Sequence, residues 1–491
     1  MRGRSLWAAA AAGLLHTASF APLDAWWLQL MALAWLAHIS WGASPRRAAA
    51  QGAAFGIAWL GGGLWWLHIS MHQYGHLPWL AAAAAVLLLA AFLASYYAAA
   101  LALAAWLRGR GGPWHALTWA ACWLLAELAR ATLFTGFPWI ASGYAHTEGL
   151  LAPWAPWIGV YGISALAAGA AAAFAALGRH HWQPAASVLA LLLVGQLLPQ
   201  QFTRSSGKLR VTLLQPNVPQ DQKFDRDRIV RNLELLAQQI ESARGQLVVT
   251  PESVVPLPLS YLPRDYVQRL QRAAQGRQVL LGIFLGDEQR GFVNSMLALA
   301  PAPGSREPYA YGKRHLLPFG EFIPPGFHWF VRALQIPMDD QARGQHQHPL
   351  PVAGQRLRPL ICYEDLFGED FVDSVQDSES AATVLINASN LAWFGTFMVQ
   401  DQHLQFSQMR ALEFQRPVIR STNTGATAVV DHQGQLRARV PPARAVLLET
   451  EVEGRSGSTP YARWLSRLGL TPLFLLALLP LAAAIWRRRR A

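Results

Sequence analysis

"RPLICYED", residues 358–365, sets a cysteine between a short apolar run and two acids. The chain has 491 residues and is 53% hydrophobic, and Cys362 is its one cysteine outside a long apolar stretch, Cys122 lying within one. Such a thiol is either a small buried hydrophobe closing a strand or a nucleophile. Two other polar residues also stand at the ends of strand-like runs: Glu252 after "LVVTP" and Lys313 in "YAYGKRHLLPFGEF". Loops that follow rigid strands commonly display functional groups. A thiol needs a base to take its proton, and an ammonium group both lowers its pKa and stabilises an oxyanion. Taken singly, Glu252 reads equally as a helix N-cap, Lys313 as a solvated loop lysine and Cys362 as an inert buried thiol. Spacing alone does not choose between these readings.

Around this trio, residues 208–456 alternate short β-branched or leucine-rich runs with helical stretches. The runs "LRVTLLQPNV", "QLVVTPES", "VLLGIF", "NSMLALA", "LRPLICYE", "ATVLINASN", "PVIRSTNTG", "ATAVVD" and "VLLETEV" read as strands. Residues 226–243, 264–275 and 400–414 carry apolar residues at helical spacing. Strands interleaved with helices predict a layered α/β domain with its own core.

The flanks are different in kind. The charged fraction of the whole chain is 14%, against roughly 25% in soluble domains, and the deficit falls outside 208–456. Seven apolar stretches, at about 5–19, 26–42, 49–70, 79–106, 114–134, 155–178 and 184–199, precede the α/β part, and an eighth, 468–486, follows it. Most approach the ~20 residues that span a bilayer as a helix. The expectation is a polytopic helical membrane domain over 1–200, with about seven of the eight transmembrane helices, and a last one at 468–486. The first stretch also has the basic start and apolar middle of a signal peptide; the apolar run directly after it favours a helical hairpin.

If every stretch spans, Arg2, Arg4, Arg46, Arg47, Arg108, Arg110, Arg179 and Arg487 to Arg490 fall on one side, while loops 20–25, 71–78 and 135–154 hold no Lys or Arg. By the positive-inside rule the basic side is cytoplasmic, which puts residues 200–467 across the membrane. The net charge of +12 is then largely a topology signal, and no aromatic-interleaved basic patch points to nucleic acid. A lone thiol in an oxidising compartment is a liability unless buried or used. Glu127 and Arg130, one turn apart in the fifth stretch, are expected to pair in the bundle interior or at its outer mouth. His346 and His348 are too isolated to argue a metal site.

"VVTPES", "YGKRHLLPFGEFIP" and "PLICYED" occur in the order and spacing that the nitrilase, or carbon–nitrogen hydrolase, superfamily shows for its Glu, Lys and Cys. With spans before and after the domain, and with "ELARATLFTGFPWIASGY" at 127–144, the chain resembles the apolipoprotein N-acyltransferase family, the membrane branch of that superfamily. The resemblance implies an αββα sandwich, Glu252 as general base, Lys313 as oxyanion-stabilising cation and Cys362 as nucleophile. It further implies Glu321 as an additional acid, Tyr363 and Glu364 as the rest of a "C-Y-E" motif, and Trp393 and Phe224 as aromatics around the substrate. Where the family commonly reads Asn-Asp before "AWFG", this chain has Asn390 then Leu391.

The implied reaction moves an acyl chain from a phospholipid through a Cys thioester to the α-amino group of a diacylglyceryl-modified apolipoprotein. It would run at the bacterial inner membrane, with the α/β domain in the periplasm, without metal or organic cofactor, in a monomer. Two apolar loops, "SVVPLPLSYLP" after Glu252 and "IPPGFHWFVRALQIPM" after Glu321, either fold back as satellite core or dip into a bilayer interface, and their place beside two of the site acids favours the second. A membrane-tethered amidase predicts open polar loops there. A membrane scaffold predicts loss of one of the three residues.

Overall fold

The computed structural model describes residues 2–108, 113–178, 180–223, 225–301, 308–329, 340–345, 348–376 and 379–490. Phe224, Arg110, Arg179 and His346 lie outside the described residues. The chain divides into two units, one formed by 1–201 with 463–491 and the other by 202–462.

The first unit is helical: α1 (Arg2–Thr17), α2 (Trp26–Ser40), α3 (Pro45–Gly63), α4 (Trp79–Leu107), α5 (Pro113–Thr132), α6 (Ala155–Leu177) and α7 (Gln183–Leu197), with the C-terminal helix Thr471–Arg490. Local sequence sets where these begin. Ser44 caps α3 by accepting from the Arg47 N–H, and Pro45 occupies the first helical position, where its missing donor costs nothing. Among the described residues, four segments are long and apolar enough to cross a membrane: Trp79–Leu107, Trp114–Thr135, Ala152–Leu177 and Thr471–Arg490. The other four of the eight expected spans are helices too, but α1, α2 and α7 have 16, 15 and 15 residues, short of the ~20 that span hydrocarbon, and the 19 of α3 include Arg46 and Arg47.

Packing in this unit depends on small residues and one buried ion pair. A Cβ on Gly52 would lie 2.7 Å from the Tyr97 carbonyl oxygen and one on Gly56 2.7 Å from the Ala94 Cβ, so this Gly-x-x-x-Gly pair lets α3 approach α4 backbone to backbone. Arg130 donates to Glu127 Oε2 at 3.1 Å and to the Phe137 and Trp139 carbonyls at 3.0 and 2.8 Å. Glu127 Oε1 accepts from the N–H and hydroxyl of Ser142. The pair therefore satisfies the irregular, buried chain between α5 and α6, whose polar groups would otherwise be stranded among apolar helices. Arg487 stacks on Trp114 at the start of α5 and Arg488 on Trp106 at the end of α4.

Among the described residues, the second unit holds two six-stranded sheets. The first has the order β12-β1-β2-β3-β4-β5: β1 (Thr203–Gln215), β2 (Leu247–Val249), β3 (Gln278–Asp287), β4 (Gly291–Ala298), β5 (Ala310–Gly312) and β12 (Val446–Gly457). The second has the order β11-β10-β9-β8-β7-β6: β6 (Leu350–Val352), β7 (Gln355–Ile361), β8 (Val384–Ser389), β9 (Val418–Thr422), β10 (Ala428–Val430) and β11 (Leu436–Arg439). Each centre is a parallel triplet, β1-β2-β3 and β7-β8-β9, with antiparallel edges. Strand alternation divides the side chains. Leu209, Val211 and Leu213 of β1 meet Ile361, Ile386 and Ile419 in the core between the sheets, while Leu214, Val248 and Leu281 face α8 (Arg226–Ser242) and α9 (Arg264–Ala273). Helix α10 (Val399–Phe414) lies against the second sheet. Strands β5, β6 and β11, of three to four residues, are too short to show a period in the sequence.

Glu127→Leu strands the Arg130 guanidinium, and about 3–5 kcal/mol of destabilisation is expected. Thermal unfolding of detergent-solubilised protein should show a lower midpoint than wild type, and adding Arg130→Leu should recover part of the loss. A double variant less stable than the single would show that the pair is not what matters there.

Candidate active site

Functional groups gather past the carboxyl ends of the parallel strands, where open α/β sheets leave a crevice. Cys362 follows β7 and opens the 3-10 turn Cys362–Leu366 at φ +51°, a left-handed conformation costly for a residue with a Cβ. Glu364 holds that turn. Its Oε2 accepts from the Ile361 N–H at 2.7 Å and the Tyr311 hydroxyl at 2.8 Å, and its Oε1 from the Arg314 and His315 N–H groups at 2.8 and 3.2 Å. The acid thus ties the cysteine turn to the chain on both sides of Lys313, and its buried oxygens are committed to that support.

Lys313 follows β5. Its Nζ donates to Glu321 Oε1 at 2.7 Å and to Glu252 Oε1 at 3.2 Å, all three side chains being buried. Asn294 on β4 donates to Glu252 Oε1 at 2.8 Å and to Glu321 Oε1 at 3.3 Å. The second Glu252 oxygen accepts from the Asn390 N–H, past β8, at 2.9 Å, and the second Glu321 oxygen from the Leu317 N–H at 2.9 Å. Glu252 sits in a tight turn after β2, where Ser253 has φ +42°. Gly282 backs this turn: a Cβ there would fall 2.0 Å from the Pro251 carbonyl oxygen.

Burial and the neighbouring Glu252 carboxylate push the Cys362 thiol well above its ordinary pKa, with Lys313 opposing them. At Lys313 burial works against the ammonium, and the attraction of Glu252 and Glu321 outweighs it, so its pKa is raised. Burial raises the Glu321 carboxyl despite the pull of Lys313. The thiol therefore rests protonated beside a fixed cation and two carboxyl groups. That arrangement can accept a proton, bind an oxyanion and hold an acyl group on sulfur.

Of the residues expected from the sequence, Glu252, Lys313 and Glu321 meet directly, with Cys362 within their electrostatic reach. Tyr363 is buried beneath the turn, its ring against Phe367 and His315. Trp393 lies exposed in the 3-10 turn that follows Asn390 and the buried Leu391. Two polar residues were missed: Asn294, and Lys223, which donates to the Ser253 hydroxyl at 2.8 Å and which burial pulls down to about 8 against the attraction of Glu252. A polar residue opening the strand-like run "NSMLALA" was the available signal for Asn294.

Residues 12–173 match the apolipoprotein N-acyltransferase N-terminal domain, and residues 210–461 match the carbon–nitrogen hydrolase domain. Over 98% of its length the chain is 46% identical to an apolipoprotein N-acyltransferase of Ralstonia nicotianae, covering 93% of that protein. The chain belongs to the apolipoprotein N-acyltransferase family. It is also 46% identical to the Verminephrobacter eiseniae member over 94% of this chain and 92% of that one, and 41% identical to the Bordetella bronchiseptica member over 98% and 96%. The αββα unit is thus the acyltransferase branch of the carbon–nitrogen hydrolase superfamily, joined to membrane helices.

Gly282→Ala should force the Glu252 turn away from β3 at a cost of about 1–3 kcal/mol. Because Glu252 lies within electrostatic reach of the thiol, moving it off should also change the rate at which iodoacetamide alkylates Cys362 at pH 8. An unchanged melting point and alkylation rate would mean that the turn does not depend on this contact.

Proposed function

We propose that this chain is a phospholipid:apolipoprotein N-acyltransferase that works through a thioester on Cys362. Glu252 takes the thiol proton, and the thiolate attacks an acyl ester of a phospholipid. A C–S bond forms, the ester C–O bond breaks, and the departing lysophospholipid takes the proton back from Glu252. The α-amino group of a diacylglyceryl-modified cysteine then attacks the thioester, forming the amide as the C–S bond breaks and its proton passes through Glu252 to the sulfur. Each step develops an oxyanion, which Lys313 and the Tyr363 N–H stabilise. Glu321 keeps the Lys313 ammonium in place. The observation that carries the reading is the Lys313 ammonium held at 2.7 and 3.2 Å between two buried carboxyl groups next to a thiol.

Exposed aromatics favour a lipid donor. Trp393, Phe397 and Trp329 keep 36%, 69% and 66% of their surface exposed, and Tyr261, Phe319 and Phe327 are exposed in the loops after Glu252 and at Glu321. A water-facing amidase has no use for this surface, whereas a domain beside a bilayer does. Together with the one-sided arginines, this favours eight spans in a bacterial inner membrane with the α/β unit on the periplasmic side.

Wild-type protein mixed with phospholipid alone should gain the mass of one acyl chain on Cys362, removable by neutral hydroxylamine, and Cys362→Ala should gain nothing. A diacylglyceryl-cysteine peptide should discharge the chain, and an amine-blocked peptide should not. Rapid release of free fatty acid without peptide would favour a hydrolase, and no adduct would favour a scaffold. Glu252→Gln should acylate about 10²–10⁴-fold more slowly at pH 7. Its rate should rise with pH, because without the base the thiol must ionise on its own and its pKa is high; a wild-type rate at every pH would remove Glu252 from the role.

The orientation is checked by reporters active only in the periplasm. A fusion after Gln201 should be active and one after Arg490 inactive, and the reverse pattern would overturn the assigned side.

A further inference from the structure

Behind the Cys362 turn lies a buried polar relay that the chemistry above leaves without a role. Asp365 and Ser407 clamp Arg420, with the Asp365 Oδ2 accepting from Nη1 at 3.1 Å, and Arg420 also donates to the His403 and Ala426 carbonyls at 3.2 and 3.3 Å. Its other nitrogen, Nη2, lies 2.6 Å from His403 Nδ1. A guanidinium only donates, so Nδ1 must accept, which leaves the proton on Nε2. Burial and the Arg420 charge depress the imidazole's pKa far below its ordinary value and keep it neutral. His403 Nε2 therefore donates to its partner at 3.1 Å, and that partner is the backbone carbonyl of Cys362 itself. Asn387, whose Oδ1 accepts from the Ser389 hydroxyl, donates to the same carbonyl at 3.1 Å.

A trans peptide is planar, with C=O and N–H pointing in opposite directions. Two donors fastened on the Cys362 carbonyl therefore turn the Tyr363 N–H away from the relay. We propose that His403, locked in one tautomer by the Arg420–Asp365 pair, is a positioning residue that, with Asn387, holds the Cys362–Tyr363 peptide so that the Tyr363 N–H is presented to the acyl oxyanion. The inference rests on the reading of Cys362 as the acyl-accepting nucleophile. It also explains why a left-handed cysteine is tolerated: the strain at φ +51° is offset by two hydrogen bonds to its own carbonyl.

The test compares two reactions of the same thiol in the full-length protein in detergent. Acylation by a p-nitrophenyl ester passes through an oxyanion, forming the C–S bond and expelling p-nitrophenolate. Alkylation by iodoacetamide displaces iodide with no oxyanion. In His403→Phe the acylation rate should fall about 10²-fold, the usual effect of losing one oxyanion donor, while alkylation stays within about threefold. His403→Gln, which can still accept from Arg420 and donate to the carbonyl, should recover most of the acylation. Asn387→Leu removes the other donor and should shift the ratio of the two rates the same way, which keeps the test open if the phenylalanine variant does not fold. An unchanged ratio in Asn387→Leu and in any folded His403→Phe overturns the inference alone. A wild-type protein that takes no acyl group from either the p-nitrophenyl ester or phospholipid overturns the nucleophile reading and this inference with it.

Discussion

The ammonium of Lys313, shared by Glu252 and Glu321, is the contact around which the α/β unit is arranged. A cation this deeply buried is tolerable only when it is neutralised and hydrogen-bonded, and its partners come from two separate stretches of chain, the turn after β2 and the turn that carries Glu321, with Asn294 on β4 donating to both carboxyl groups. Each carboxyl then finds a backbone N–H for its second oxygen, from Asn390 and Leu317. The cluster has a consequence for the neighbouring sulfur. Burial and the adjacent carboxylates hold the Cys362 thiol protonated, and a protonated thiol is slow to oxidise.

The two sheets explain how groups so far apart in sequence meet. Their parallel triplets end on the same side, and Ser421, past the middle of β9, donates to the Leu214 and Val249 carbonyls at the ends of β1 and β2. That bond crosses from one sheet to the other and sets the turn of Glu252 near the turn of Cys362. Both turns contain a residue with positive φ, Ser253 and Cys362, at about 1–3 kcal/mol of strain each. Close backbone contact at Gly282 and the four hydrogen bonds to Glu364 hold them in place.

The helical unit solves a different problem with similar means. Where α3 meets α4, Gly52 and Gly56 permit close backbone approach, and van der Waals contact supplies the attraction that apolar surroundings cannot. Where the chain must leave helical geometry between α5 and α6, Glu127 and Arg130 satisfy its carbonyls and amides. A buried charge pair here replaces water.

Residue order by itself determined the properties that depend on local composition and period. Apolar runs near helical spanning length, arginines confined to one set of loops, and the alternation of strands with helices are all visible within windows of twenty residues. The positions of Glu252, Lys313 and Cys362 at strand ends were visible in the same way, and a resemblance joined them. Only the tertiary structure decided which polar groups touch. Asn294 reaches Glu252 across 42 positions, the Asn390 N–H reaches it across 138, and His403 reaches the Cys362 carbonyl across 41. Tertiary structure likewise made Glu364 a staple of the cysteine turn and formed β5, β6 and β11 from three or four residues each. Such short strands pair because their neighbours already stand in register, and such hydrogen bonds form because two sheets close on one core. Neither condition leaves a mark in any local stretch of sequence.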